Sequence, residues 1–568
     1  MYRTFIGKIV LFSAALAFLV PATGAAEDAI DKWIDVFQPS VLSEKEQKKE
    51  LEWFAKAAEP YKGMKIKSVA EGINTHKWEA KVLADAFEEI TGIEVTHDII
   101  GEGELVDRVQ RQMQTNRKLY DIYVNDADLI GTHLRLDSAL NLSEYMEGEG
   151  KDVTNPMLDL DDFLNPEFGQ DYDGNQLQLP DQQFANLYWF RYDWFTDPDL
   201  KKEFKDEYGY ELGVPVNWAA YEDIAEFFTG REIDGQEVYG HMDYGKKSPS
   251  LGWRFTDAWL SIAGAGDKGL PNGMPVDEWG IRVKDQIPVG ASVERGGAAN
   301  GPAAVYATTK YVEWMDKYAP PDAGSMTWSE AGPTPSRGNI AQRVFQYITW
   351  LSDPAFNSDQ SPVTDSKGKP LWRVAPTPHG KYWDEGMKVG YQDAGSWTIL
   401  QNSVEGDDRA AAWLWAQFCV SKTVSLKKFI VGRTPVRKST VFSDYLAEEE
   451  EKGTYGGIVT FYKSPVEHMW TDTGPNVPHY PLLAEQWWKH VSLVTTGDAT
   501  PQEAMDDLAY KMDELMGRLK MPKYSPELNP KKSREHWLSQ EGSPKAERPD
   551  EEPKTKPYDE LLEQWKQD

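Results

Sequence analysis

The 568-residue sequence predicts an α/β protein built from two or more lobes, and three observations carry that expectation. From Lys65 onward, strand-like and helix-like segments alternate at a spacing of about 30 residues, the pattern of a parallel sheet with helical crossovers. The chain exceeds what a single hydrophobic core supports. It opens with a leader whose removal leaves about 540 residues.

The leader combines Arg3 and Lys8 with an uninterrupted apolar run from Ile9 to Val20, then Pro21 and the small residues Gly24, Ala25 and Ala26. This order predicts an export signal cleaved after Ala26. The apolar run is shorter than the roughly 20 residues a membrane-spanning helix needs, and no cysteine stands nearby for lipid attachment. A freely diffusing periplasmic protein is therefore expected. The only cysteine, Cys419, excludes an intramolecular disulfide, and its neighbours Ala411, Leu414, Trp415 and Phe418 at helical spacing predict a buried thiol.

After an acidic leader segment, Ser43 to Ala58 reads as a helix: Ser43 and Glu46 form a capping box, and Leu51, Phe54, Ala55 and Ala58 form the apolar stripe. Residues 27–62 thus make a helical extension before the first strand. Lys65 to Ala70 is a strand, Lys77 to Ile90 a helix closed by Gly92, and Ile93 to Ile100 a second strand. Glu104 to Asn116 is a helix with Leu105, Val109 and Met113 on one side, and Asp121 to Val124 is a third strand. Asp173-Gly174 marks a hairpin, followed by a strand-like run from Phe184 to Phe190. Asn217 caps a helix carrying Tyr221, Ile224, Ala225 and Phe228, and Thr500 to Glu503 is another capping box. Beyond Tyr524 the shift to Pro, Lys and Glu predicts an extended or disordered tail, with a short helix from Tyr558.

Composition excludes some partners. The formal charge of -31 argues against nucleic acid and anionic membranes, which require a basic footprint. The 22 Trp and 26 Tyr fit recognition of a sugar or polyol, whose C-H face an aromatic ring covers. Ligands of open α/β sheets sit beyond the carboxyl ends of the strands. That rule singles out Gly72 to His76, Gly101 to Gly103, and Asn125-Asp126.

The order of short motifs resembles the family 1 extracellular solute-binding proteins of ABC importers. The pieces are Phe87 to Val95, Tyr120 to Tyr123, Tyr172 to Gly174, Pro215 to Trp218, Val374 to Pro378, Gly395 to Trp397, Gly432 to Pro435 and Gly497 to Pro501, spread over Lys65 to Met521. The resemblance implies the two-lobe, type II-like periplasmic binding protein fold, closing by hinge motion about crossings near Gln182 to Tyr188, Tyr391 to Gly395 and Gly432 to Lys438. Lobe 1 is expected from 63–181 plus 392–440, lobe 2 from 182–391 plus 441–524, and the tail from 525–568. In size the chain is similar to family members that serve glycerol or related polyols. Carried over by position, the implied ligand-binding residues are Asn74, Thr75, His76, Glu102, Asn125, Asp126, Gln182 and Gln183, with Gly395 allowing close approach and Trp253, Trp350, Trp397 and Tyr480 as aromatic walls. The ligand is then a small neutral polyol or sugar and the partners are ABC permease subunits; no cofactor, metal or nucleic acid is implied, and a monomer is expected. Arg433 or Arg254 would have to reach the cleft for a phosphorylated ligand.

Catalytic readings fare worse. Gly101 and Gly103 begin a dinucleotide fingerprint that fails at Val106, and Asp171, Asp173 and Asn175 suggest a calcium loop whose glycine comes too early. A secreted carbohydrate-active hydrolase is the main alternative, since it would need only two carboxylates facing across a cleft.

Overall fold

A computed structural model describes residues 22–125, 129–265, 279–384, 387, 392–464, 474–540, 547–548 and 552–567. Among these, the main sheet has seven strands. Lys65–Glu71 (β1) lies between Glu94–Ile100 (β2) and Ile122–Asn125 (β3), parallel to both. These are the three strands expected from the sequence. The helix after β1 starts earlier than its apolar periodicity suggests: it runs from Asn74 to Trp78, widens into a π turn over Glu79–Leu83, and continues as Ala84–Thr91. Gly92 ends it at φ 76°, a left-handed conformation that glycine adopts without a Cβ penalty.

The strand Leu179–Arg191 (β4) organises the rest. Its first half, Leu179 to Ala185, pairs antiparallel with Gln392–Thr398, which pairs in turn with β3. Its second half pairs with Gln342–Tyr347 from Asn186 on, and with Trp372–Ala375 from Tyr188 on. One continuous strand therefore changes partners between Ala185 and Asn186. The hydrophobic cores follow the same division. Leu179 joins a cluster with Phe87, Ile122, Trp397 and Phe418, whereas Leu187, Trp189 and Phe190 join a larger one with Trp218, Trp259, Trp314 and Trp487.

The helices Ala22–Val36 and Glu44–Ala57 are fastened to the first core. Phe37, Phe54 and Phe87 surround Phe418 with ring centroids 5.3–6.4 Å away. The Glu50 carboxylate, fully buried, accepts from Asn155 Nδ2, Thr423 N and Thr423 Oγ1 at 2.7–3.0 Å. The capping boxes at Ser43/Glu46 and Thr500/Glu503 are formed, and Asn217 caps its helix through Ala220 N. The first helix runs through the expected cleavage point after Ala26; residues before Ala22 lie outside the described set. Among the described residues, no helix is long and apolar enough to cross a membrane.

Of the two expectations for the tail, extended or disordered, its described residues show the extended one. Its backbone binds the second half of the molecule through Glu527 N to Pro288 O and Asn529 N to Val289 O, at 3.0 and 2.8 Å. Trp537 Nε1 donates to Glu294 O at 3.0 Å, and Thr555–Lys556 pairs with Val214–Pro215. The expected helix runs Tyr558–Gln567, with Tyr558 buried against Phe190 and Tyr192. Composition hid this because the tail has little apolar surface of its own; it is ordered by main-chain bonds and a few aromatic anchors set into another core.

Candidate functional site

Three segments meet where β4 changes partners. The loop after β1 turns into a helix at Asn74, and Asn74 Nδ2 donates to Ser352 Oγ at 3.0 Å, in the Ile348–Ser352 turn that follows the strand Gln342–Tyr347. Thr75 Oγ1 lies 3.0 Å from Thr434 Oγ1, which donates to Gln182 Oε1 at 3.1 Å. This approach needs glycine at two places. A Cβ on Gly432 would sit 1.9 Å from Thr75 Oγ1, and one on Gly395 would meet the Gln182 side chain at 3.0 Å. Asn74, Thr75, Gln182 and Gly395, four of the sequence-predicted residues, are therefore brought together at the crossing.

Others lie on further elements. Glu102 opens the helix Glu102–Thr115, half-buried, and a Cβ on its neighbour Gly103 would lie 3.6 Å from Pro249. Pro249 begins the helix Pro249–Arg254 that carries Trp253, whose buried Nε1 has no protein partner. Trp350 packs against Trp328 with ring centroids 4.8 Å apart and the rings tilted by 59°, over Gly332, where a Cβ would lie 2.2 Å from the indole. Gly332 is thus the small residue that lets Trp350 pack. Tyr480 is buried, with its ring 5.3 Å from Trp279 and its N donating to Thr132 Oγ1 at 2.9 Å. Asn125 ends β3 opposite Ser396; its side chain and all of Asp126 lie outside the described structure.

Three residues point elsewhere. Trp397, 1% exposed, packs on His97 and Trp415 within the first core and donates Nε1 to Asp181 Oδ1 at 2.6 Å. A register shift between Gly395 and Ser396 turns the strand, so Gly395 faces Gln182 while Trp397 faces inward. Gln183 spends its amide on Asn165 Nδ2 and Leu164 O at 3.1 and 2.8 Å. His76 is fully buried, its Nδ1 donating to Glu71 O at 3.0 Å. These three support the site from behind.

Asn186 was not singled out from the sequence. It is the first residue of β4 after the switch, fully buried, with neither Oδ1 nor Nδ2 partnered by protein; four residues back on the same face, Gln182 Nε2 is also unpartnered. A buried amide with nothing to bond costs roughly 1–3 kcal/mol, so such groups mark a place for a polar ligand or water. The available signal was its period-2 spacing from Gln182.

The arginines considered for phosphate are committed elsewhere. Arg254 forms a bidentate pair with Asp243 at 2.8 and 2.9 Å and donates to Val344 O and Phe345 O at 2.7 and 2.8 Å. This clamps Phe345, whose φ of 55° is strained for a bulky residue, at the bulge before Gln346. Arg433 lies over the Tyr455 ring at 4.5 Å and donates to Ile430 O at 2.8 Å.

The two halves also touch at the far rim. Arg135, fully buried on the helix Ile130–Leu136, donates Nη1 to Gly131 O and Pro475 O at 2.9 and 2.8 Å, Nη2 to Tyr172 Oη and Gln286 O at 3.1 and 3.2 Å, and Nε to Tyr524 O at 3.3 Å.

Comparison with known proteins matches this architecture. The family described as bacterial extracellular solute-binding proteins matches residues 73–424. An ABC transporter solute-binding protein from Agrobacterium radiobacter K84 in complex with ribitol superposes with a TM-score of 0.61 at 18% identity, covering 80% of this chain and 99% of the other. Maltose-bound MalE3 from T. maritima gives 0.59 at 18% identity over 80% of this chain and 100% of its own. A solute-binding protein from Agrobacterium vitis S4 with bound D-mannitol gives 0.58 at 15% identity over 81% and 100%. The structural likenesses establish the shared two-lobe fold, and the sequence match spans more than half of the chain. The chain belongs to the bacterial extracellular solute-binding protein family.

Proposed function

We propose that this protein is the periplasmic receptor of an ABC importer and that it captures glycerol, another polyol or a small sugar in the cleft between its lobes. The observation that carries this reading is the partner switch of β4, flanked by the buried unpartnered amides of Gln182 and Asn186. Amides serve vicinal hydroxyls well, since each offers both a donor and an acceptor. Asn74, Thr75, Glu102, Asn125 and Asp126 supply the remaining polar contacts from the loops after β1, β2 and β3, and Trp253, Trp350 and Tyr480 the apolar faces. The commitment of Arg254 and Arg433 to internal contacts favours a neutral ligand over a phosphorylated one. The ribitol and D-mannitol of two structural relatives are consistent with this class. The lobes then comprise 63–181 plus 392–440 and 182–391 plus 441–524, and the leader through Ala26 is removed on export.

The test is thermal denaturation of the mature protein with ribitol, D-mannitol, glycerol and maltose. A ligand present at about 100 times its Kd stabilises by about 2.7 kcal/mol, and binding is expected to be stoichiometric without turnover. Asn186→Ala is expected to abolish the shift while leaving the unliganded midpoint nearly unchanged. No shift with any of the four, combined with no small molecule released on denaturing the purified protein, would overturn the reading.

A further inference from the structure

The charges behind the Asn74–Thr75 loop, where Lys428 Nζ is 2.5 Å from both Glu79 Oε1 and Asp181 Oδ1, lie within one half of the molecule. The contacts that join the halves are found elsewhere, beyond the carboxyl ends of the parallel strands. That edge is where the ligand of an open α/β sheet rests. β3, β1 and β2 stand side by side along it, and the segment that follows each of them is bridged to the opposite half.

After β1, Asn74 Nδ2 donates to Ser352 Oγ at 3.0 Å. After β2, the helix Glu102–Thr115 gives Leu105 and Val109 to a small cluster with Val69 and Tyr123, but its Val106 belongs to the larger core that holds Leu251, Val477 and Tyr480. On the same helix, Gln110 Nε2 lies 3.5 Å from His479 Nε2. After β3, Leu129 joins that larger core, and the helix Ile130–Leu136 makes the closest approach of all. A Cβ on Gly131 would stand 2.1 Å from Gly474 O and 2.5 Å from Val477 O, so main chain meets main chain with no room for a side chain. One residue on, Thr132 Oγ1 accepts from Tyr480 N at 2.9 Å. One turn on, the buried Arg135 donates Nη1 to Pro475 O at 2.8 Å, and Tyr172 Oη donates to the same oxygen at 2.9 Å. Lys523 fastens the end of the helix, its N donating to Arg135 O at 3.2 Å and its Nζ 2.8 Å from Asp137 Oδ1.

An elongated glycan laid along this edge has to part at least one of the bridges. The bridge after β3 resists most, because it is made of backbone, which cannot swing aside as a side chain does, and is locked by a guanidinium with no solvent exposure. We propose that Gly131 sets the length of ligand that this receptor accepts: the helix Ile130–Leu136 shuts the strand edge against residues 474–480, admitting a single polyol chain or one sugar ring and refusing di- and oligosaccharides. The inference rests on the reading of the β4 crossing as a ligand site and narrows the class of ligand. Specificity is a difference of affinities, and a repulsive element supplies it as well as an attractive one does. The amides of Gln182 and Asn186 attract hydroxyls of any sugar; the refusal comes from Gly131.

Titration calorimetry of the mature protein with ribitol, D-mannitol, maltose and maltotriose tests this. The wild type is expected to bind at least one of the polyols and to give no saturable heat with maltose or maltotriose. Gly131→Ala suits the helix, since alanine is the better helix former, but its methyl pushes the Gly474 and Val477 oxygens back to ordinary contact and draws Pro475 away from Arg135. The variant is expected to bind the polyol about tenfold more weakly and to give a measurable heat with maltose. A variant that still refuses maltose overturns the assignment to Gly131. Maltose or maltotriose bound by the wild type as tightly as a polyol overturns the length limit, without any variant having to fold, and leaves the receptor reading intact. Binding of none of the four by the wild type overturns both.

Discussion

Arg135 offers the most direct test of what joins the far rim. Replacing it by methionine keeps much of the aliphatic volume and removes five N–H donors at once. Two of its contacts, to Gly131 O and Tyr172 Oη, stay on its own side of the cleft; those to Pro475 O, Gln286 O and Tyr524 O cross to segments of the other side. Hydrogen bonds to a charged group contribute about 1.5–3 kcal/mol each. Of the three, only the one to Pro475 O is short at 2.8 Å, and water replaces part of each on opening. A net cost near 3 kcal/mol to the closed form is therefore expected, about two orders of magnitude in the ratio of closed to open molecules. Small-angle X-ray scattering reads this as a larger radius of gyration for Arg135→Met than for wild type in the same buffer. Arg135→Lys should behave almost as badly, because one ammonium cannot reach three carbonyls spread around a planar fork. Superimposable scattering curves, with unchanged amide exchange in 474–480, would refute the idea that this side chain holds the far rim together.

Two further outcomes follow from buried contacts. Lys428→Met leaves Glu79 and Asp181 facing each other without a cation, a loss of about 3–5 kcal/mol. Burial and the Asp181 charge already push Glu79 up to about 7, and a raised acid contributes stability below its unfolded value that is lost as pH rises through the folded one. The deficit in urea denaturation, followed by tryptophan fluorescence, should therefore be larger at about pH 8 than at about pH 5.5, and a deficit independent of pH would contradict the charge accounting. Tyr558→Ala removes the ring seated against Phe190 and Tyr192 and should weaken the local hold of the C-terminal strap by about 2–4 kcal/mol. Limited trypsin digestion is expected to cut after Lys554 many times faster in the variant, with little change in the melting of the rest.

The helices and strands that the sequence made legible are those whose signal is local. Ser43 with Glu46, Thr500 with Glu503, Asn217 and Gly92 each act within four residues, and each forms the cap its chemistry dictates. The extent of β4 was less visible, because the Leu179 to Ala185 half is defined by pairing with residues more than two hundred positions away. The tail was legible only in part: its helix from Tyr558 shows in the sequence, but the order of its extended described segments comes from pairing with other elements, which their composition does not encode.

The site residues divide along a more instructive line. Gln182 and Gln183 were both assigned to ligand, yet successive residues of a strand face opposite ways. Their alternation alone requires one to turn from the cleft, and Gln183 is the one whose amide is consumed by Leu164 and Asn165. The same rule extends Gln182 to Asn186 and so recovers a candidate that inspection of motifs passed over. It then misleads at the returning strand, where period 2 would put Gly395 and Trp397 on one face. The register shift after Gly395 breaks the alternation, and only long-range pairing with Pro180 and Leu179 reveals it. Trp397 is thereby spent on Asp181, behind the site. The long strand passes from one set of partners to the other within a single seven-stranded sheet, and the register shift lies opposite Gln182 and Pro180, ahead of that change.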